Sequence, residues 1–167
     1  MKYIFIVNQI AGRGKYKKIV PHIEKICKEE NKRYAIRYIT EDKSGADIAR
    51  EYCNAEHVIY VVGGDGTLIR AARNLVKKNI PLLGINLGKL GYLCEVEENT
   101  IFPAIDELMA DRYTIEQRML LDGYTVQSGG EKIQRVALND VVIHRTGALQ
   151  IVNLNAYVNG EYLYNFK

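Results

Sequence analysis

The 167-residue sequence has no apolar run long enough to cross a membrane. A spanning helix needs about 20 consecutive apolar residues. The run near the N-terminus, YIFIV at residues 3–7, is also too short for the core of a signal peptide. These absences predict a cytoplasmic protein with no membrane partner.

The sequence also lacks a dense block of lysine and arginine, although its net charge is +3. Basic arms that bind nucleic acid concentrate such residues. We therefore expect no nucleic-acid partner. A mild positive charge instead fits an anionic small molecule.

Paired cysteines are absent as well. Cys27, Cys53 and Cys94 lie far apart, with no CxxC motif and no histidine at the spacing of a metal ligand. The three histidines share no spacing with one another. This pattern predicts buried free thiols in a reducing compartment and no metal site built from protein ligands alone.

Apolar strands and amphipathic helices alternate four times in the first two thirds of the chain. Strands are predicted at residues 3–7, 34–40, 57–62 and 81–87. Helices are predicted at 15–30, from Ser44 to about Cys53, after the glycine loop at 63–67, and after a cap at Thr100. Because nearly continuous apolar strands must be covered on both faces, residues 1–112 are predicted to form an α/β domain with a doubly wound parallel sheet.

From residue 113 onward, alternating strands replace the helical periodicity. MLLDGYTVQ and KIQRVALNDVVIH flank a Gly129–Gly130 turn, and a second hairpin turns at Asn159–Gly160. Residues 113–167 are therefore predicted to be antiparallel β structure.

The stretch VVGGDGTLIRAAR at residues 61–73 places an acid in a glycine loop at the carboxyl edge of the sheet. The following helix N-terminus suits phosphate, which Asp65 would repel unless a divalent cation intervened or the acid served as a base. Either possibility indicates phosphoryl transfer. The alternative is a tight turn in which Asp65 is only the helix N-cap.

A second glycine-containing loop, GRGK at residues 12–15, follows the first strand at the same edge. It does not have the spacing of a Walker A loop. Its residues alone leave open whether it contacts phosphate or only joins a strand to a helix.

Four motifs together resemble NAD kinases: GGDGT (63–67), PLLGINLGKLGYL (81–93), RMLLDG (118–123) and ALNDVVIHR (137–145). GGDGT alone is shared with lipid and phosphofructo-type kinases. The opening VNQIAGRGK is similar to that of lipid kinases, which stay the alternative. Against them, GINLGKLGYL stands where lipid kinases carry a GTxND-type element.

The resemblance implies a Rossmann-like fold and transfer of a phosphoryl group from ATP, or from polyphosphate, to the 2′-hydroxyl of the adenosine ribose of NAD, with Mg²⁺. Asp65 matches the acid that activates this hydroxyl. Asn139 and Asp140 match the family's Asn-Glu pair that holds NAD, with an acid one methylene shorter. The other residues expected to bind NAD or nucleotide phosphates are Gly63, Gly64, Gly66, Thr67, Arg70, Arg73, Asn86 and Tyr92.

NAD kinases continue beyond a strand like NGEYLYNFK, so the resemblance implies the first part of a longer enzyme. We expect the 167-residue chain to lack turnover by itself and to act at most as a nucleotide-binding module. An uncovered strand edge is a template for pairing, and homo-oligomers are therefore expected.

Overall fold

The computed structural model describes residues 1–76, 78–88, 93–96, 98–144 and 151–166. Its first part alternates strands and helices in the predicted order. The elements are β1 (Lys2–Val7), α1 (Tyr16–Glu29), β2 (Arg33–Tyr38), α2 (Gly45–Glu51), β3 (His57–Gly63), α3 (Asp65–Leu75), β4 (Leu82–Asn86) and α4 (Ile101–Met109).

The four strands form one parallel sheet in the order β2-β1-β3-β4. Alternate side chains of β1 point to opposite faces. Phe5 packs in a core with α1 and α4, whereas Ile4 packs in a second core with α2 and α3. Helices therefore cover both faces, which confirms the doubly wound α/β prediction.

Local signals set several helix ends. Ser44 caps α2, since its Oγ accepts the Asp47 N–H at 3.2 Å while Asp47 Oδ2 accepts the Ser44 N–H at 3.2 Å. This reciprocal pair satisfies two donors that the helix cannot pair internally. Thr100 precedes α4, as predicted, but its side chain makes no capping hydrogen bond.

Two antiparallel hairpins follow. The first pairs β5 (Leu121–Val126) with β6 (Lys132–Ala137), and the second pairs β7 (Leu154–Val158) with β8 (Glu161–Phe166). Asn159 and Gly160 have φ of 53° and 88°, the left-handed conformations that an Asn-Gly hairpin turn requires. The prediction that the first hairpin extends to His144 is wrong, because β6 ends at Ala137. The domain boundary at residue 112 stays a prediction.

The hairpins are far less covered than the parallel sheet. Every residue of β5 is exposed, and the exposed fractions of Tyr157 and Leu163 are 60% and 63%. In the described part of the chain, no helix combines the length and apolarity needed to cross a bilayer.

Candidate active site

The Gly63–Thr67 loop joins the carboxyl end of β3 to α3. Gly64 is the N-cap of the helix, and its carbonyl accepts the N–H groups of Thr67 at 2.9 Å and Leu68 at 3.1 Å. The first N–H groups of a helix have no intrahelical acceptor and carry the positive end of its dipole. A Cβ added to Gly66 would meet nothing within 4 Å. The start of α3 therefore offers backbone donors on an open side of the loop.

Asp65 is not the helix N-cap, so the simple capping alternative is wrong. It is the first residue of α3, and its half-buried side chain reaches the segment that follows β4. Asp65 Oδ1 accepts the N–H of Leu93 at 3.3 Å and that of Cys94 at 3.1 Å. Burial, and then the hydrogen bond to Asp65, raises the pKa of the Cys94 thiol to about 12. Cys94 is consequently a neutral thiol at physiological pH.

Asn86 ends β4 directly beside this loop. It is the register partner of Gly63 and is 4% exposed, and its Oδ1 accepts the Gly88 N–H at 2.8 Å. A Cβ on Gly64 would lie 3.9 Å from the same oxygen. The structure thus brings Asn86 and the glycine loop together, as expected for adjacent parallel strands.

Asn8, at the end of β1, also contacts the loop. Its Nδ2 donates to Thr67 Oγ1 at 3.1 Å, and its Oδ1 accepts the Ile10 N–H at 3.1 Å. A Cβ on Gly63 would lie 3.0 Å from Thr67 Oγ1 and 3.3 Å from Asn8 Cβ, so a larger residue at position 63 would press on this contact. Sequence reasoning did not single out Asn8. The available signal was a polar residue directly after a buried strand at the functional edge.

The loop after β1 packs against Leu87, which directly follows β4. Gly12 has φ of 65°, and a Cβ there would come within 2.5 Å of Leu87 Cβ. Lys15 Nζ donates to the Leu87 carbonyl at 3.3 Å. Loops from β1, β3 and β4 therefore meet at one edge, which gives the second glycine loop a packing role. Whether this loop also contacts phosphate stays open.

Other predicted residues lie elsewhere. Arg70 and Arg73 are exposed on the second and third turns of α3. Asn139 and Asp140 follow β6 and are exposed, and Asn139 Nδ2 donates to Asp140 Oδ2 at 2.8 Å. Within the described residues, neither side chain hydrogen-bonds to the glycine loop. Tyr92 lies outside the described residues.

Among the residues that the structure describes, no three His, Cys, Asp or Glu side chains gather as a metal centre. Mg²⁺ commonly takes one or two protein carboxylates and completes its shell with water and substrate phosphates. The single carboxylate of the glycine loop fits an ion that arrives with a nucleotide.

Comparison with known proteins decides the family. Residues 5–113 match the model of the ATP-NAD kinase N-terminal domain, which is well over half of the chain. The chain belongs to the NAD kinase family. Every described residue of the β1, β3 and β4 loops discussed above lies within this match, whereas Asn139 and Asp140 lie beyond it.

Known NAD kinases align with different lengths of the chain. The NAD kinase of Agathobacter rectalis is 61% identical over 108 residues, which are 65% of this chain and 37% of the relative. That of Citrifermentans bemidjiense is 32% identical over 163 residues, or 97% of this chain and 52% of the relative. The chain therefore spans about half or less of the length of these NAD kinases.

A solved structure shares the fold. Yeast NADH kinase in complex with NADH superimposes with a TM-score of 0.65 at 18% identity, over 99% of this chain and 55% of that one. At this identity the likeness establishes the architecture, including the antiparallel strands after the parallel sheet.

Proposed function

We propose that the chain is the N-terminal portion of an enzyme that phosphorylates the 2′-hydroxyl of the adenosine ribose of NAD to form NADP. The observation that carries this proposal is the Asp65 carboxylate at the open N-terminus of α3, where three strand ends meet. The family match supports the substrate. It also removes the reason for keeping a lipid kinase as the alternative.

Asp65 is proposed as the general base. As the ribose oxygen bonds to the transferred phosphorus, its proton passes to the Asp65 carboxylate, and the bond from that phosphorus to the bridging oxygen of ATP breaks to release ADP. Polyphosphate would react in the same way and leave a chain one phosphate shorter. Magnesium would neutralise phosphate charge when bound with the donor.

The remaining predicted residues are assigned to binding. The backbone of Gly63, Gly64 and Gly66, the Thr67 hydroxyl and the cationic Arg70 and Arg73 are proposed to contact phosphates. Asn86 and Tyr92, with Asn139 and Asp140, are proposed to hold NAD. The three cysteines are free, which supports a reducing cytoplasmic location.

A complete enzyme tests this function. Residues 1–112 of this chain can be joined to the remainder of the Agathobacter rectalis relative, and NADP can be assayed with NAD and either ATP or polyphosphate. We expect Asp65→Asn to lower the rate by about 10²–10⁴-fold, because a general base contributes that much. Asp47→Asn, in the cap of α2, is the matched control and should leave the rate unchanged. Near-normal NADP formation by Asp65→Asn would refute the assigned role.

Self-association of the 167-residue chain is proposed from its hairpins. Val158, Leu163 and Phe166 are each more than half exposed, at 55%, 63% and 52%. Exposed apolar surface is destabilising by roughly 25 cal/mol per Å², and edge strands pair readily with another copy. Sedimentation at micromolar concentration should show a dimer or larger species. An NADP assay on the same sample should show no kinase turnover. An active 19.0 kDa monomer would contradict both expectations.

A further inference from the structure

Residues 93–96, here called the β4-following segment, run beside β4. Val96 forms an isolated parallel bridge with Ile85, and its carbonyl accepts the Asn86 N–H at 2.9 Å. Cys94 packs against Gly84, where an added Cβ would lie 2.7 Å from the Cys94 sulfur. Backbone bonds to β4 thus fix one end of the segment.

The other end is fixed by Asp65. The N–H groups of Leu93 and Cys94 both donate to Asp65 Oδ1, across 28 and 29 residues of sequence. A charged acceptor makes such bonds stronger than neutral ones. Asp65 begins α3 and is separated from the buried strand β3 only by Gly64. The carboxylate therefore links the start of α3 to the β4-following segment.

We propose that Asp65 is also a positioning residue, whose Oδ1 holds Leu93 and Cys94 against the start of α3. Leu93 directly follows Tyr92, one of the residues assigned to NAD. This role is separate from proton transfer, since it needs an oxygen acceptor and not a base. Its consequence for NAD binding rests on the proposed function.

The two roles separate by substitution. Asparagine keeps a carbonyl oxygen at the same distance from the backbone and can still accept both N–H bonds, but it cannot accept a proton from a ribose hydroxyl at neutral pH. Alanine removes both capacities. Asp65→Asn should therefore retain positioning and lose chemistry, whereas Asp65→Ala should lose both.

Amide hydrogen exchange on the 167-residue chain tests positioning without requiring turnover. Peptides covering residues 93–96 should exchange about tenfold faster or more in Asp65→Ala, because a bond to a charged acceptor is worth at least that factor. The increase should be clearly smaller in Asp65→Asn, which keeps weaker bonds to a neutral oxygen. Asp47→Ala, which removes the acidic partner of the α2 cap, is the matched control and should leave this peptide unchanged.

Thiol labelling separates local release from general unfolding. Cys94 is 9% exposed and Cys27 is fully buried, so release of the segment in Asp65→Ala should newly expose Cys94 and leave Cys27 unlabelled. Cys53 is already half-buried and should label alike in every variant. Unchanged exchange at residues 93–96 in Asp65→Ala would overturn the proposal. So would equal loss of protection in Asp65→Asn, or simultaneous labelling of Cys27.

Binding of NAD to the complete enzyme supplies the functional readout. Both variants should lack turnover, but the Kd for NAD should stay near the unsubstituted value in Asp65→Asn and rise about tenfold in Asp65→Ala. Equal Kd values in the two variants would overturn the positioning role in binding. Absence of NADP formation by the unsubstituted enzyme would instead refute the proposed function and leave the exchange result standing.

Discussion

Tyr60, in the middle of β3, has a buried hydroxyl that the fold does not use. The residue is 1% exposed, and its ring lies 4.9 Å from that of Phe5 and 6.0 Å from that of Tyr3. Its hydroxyl has no hydrogen-bond partner among the described residues. Burial raises the pKa of this hydroxyl well above its ordinary value, so the group stays neutral. Removing it should therefore stabilise the chain.

The magnitude follows from desolvation. A buried hydroxyl without a partner costs about 1–3 kcal/mol relative to water. Tyr60→Phe removes that cost but also removes the dispersion contacts of one oxygen and leaves a small void. We expect a net increase of about 1 kcal/mol in the free energy of unfolding, as a difference between these terms.

Tyr3 provides a matched control with the opposite sign. Its ring stacks on the same aromatic cluster, but its hydroxyl donates to Asp111 Oδ1 at 2.9 Å. Tyr3→Phe removes that bond. Because the Asp111 side chain is 58% exposed, water can replace part of the interaction. The expected loss is about 0.5–1.5 kcal/mol.

Urea and thermal unfolding at neutral pH and one fixed protein concentration measure both effects. For a domain of this size, 1 kcal/mol corresponds to about 2–4 °C in Tm. Tyr60→Phe should raise the midpoint and Tyr3→Phe should lower it. A decrease of about 1 kcal/mol or more for Tyr60→Phe would refute the reasoning, because it would show that the hydroxyl is partnered in solution.

Two further predictions concern ion pairing and packing. The Lys32 ammonium and then the Tyr3 hydroxyl hold the pKa of Asp111 below its ordinary 3.8, while Asp111 raises the pKa of Lys32 above 10.5. The carboxylate stabilises the fold above pH 3.8 and loses this effect as pH falls through its lowered pKa. The ammonium stabilises it below pH 10.5 and loses this effect as pH rises through its raised pKa. Asp111→Asn should therefore lower Tm between these limits, and a deficit that persists unchanged at pH 3 would contradict the pairing. Gly84→Ala should destabilise the chain by about 1–3 kcal/mol, because its Cβ would lie 2.7 Å from the Cys94 sulfur and 2.8 Å from Leu68 Cδ2. Adding Cys94→Ala should restore part of that loss in urea unfolding, and purely additive effects would exclude this clash as the cause.

The parallel sheet was predictable because its signals are local. Continuous apolar runs place β1, β3 and β4 within one or two residues of their observed bounds, and the Ser44–Asp47 pair caps α2 as its residue types predict. The Asn159–Gly160 turn likewise follows from the backbone conformations that these two residues tolerate.

Strand length in the first hairpin was not predictable in the same way. VVI at residues 141–143 has high β propensity, yet these residues lie outside β6 and are 71%, 75% and 64% exposed. Strand formation depends on a neighbouring strand and on burial more than on intrinsic preference. The pairing of β6 ends opposite Leu121, and sequence periodicity contains no information about that partner.

In the candidate site, the residue types could be predicted from the sequence, but their contacts could not. The resemblance assigned chemistry to Asp65, but its observed partners are backbone N–H groups nearly thirty residues away, which leave no residue-type signal in the sequence. The bond from Asn8 to Thr67 was likewise not predictable, although both residues lie in loops that follow predicted strands.

Two glycines of the loop differ in how closely their surroundings pack against them. Gly63 is closely packed, because a Cβ there would lie 3.0 Å from Thr67 Oγ1 and would require its neighbours to shift. Gly66 has no such neighbour within 4 Å and no positive φ, and glycine is a poor helix former. Nothing in the described part of the chain requires glycine at position 66. The absence of a side chain there leaves the start of α3 uncovered beside Asp65, and this is where the phosphate contact is proposed.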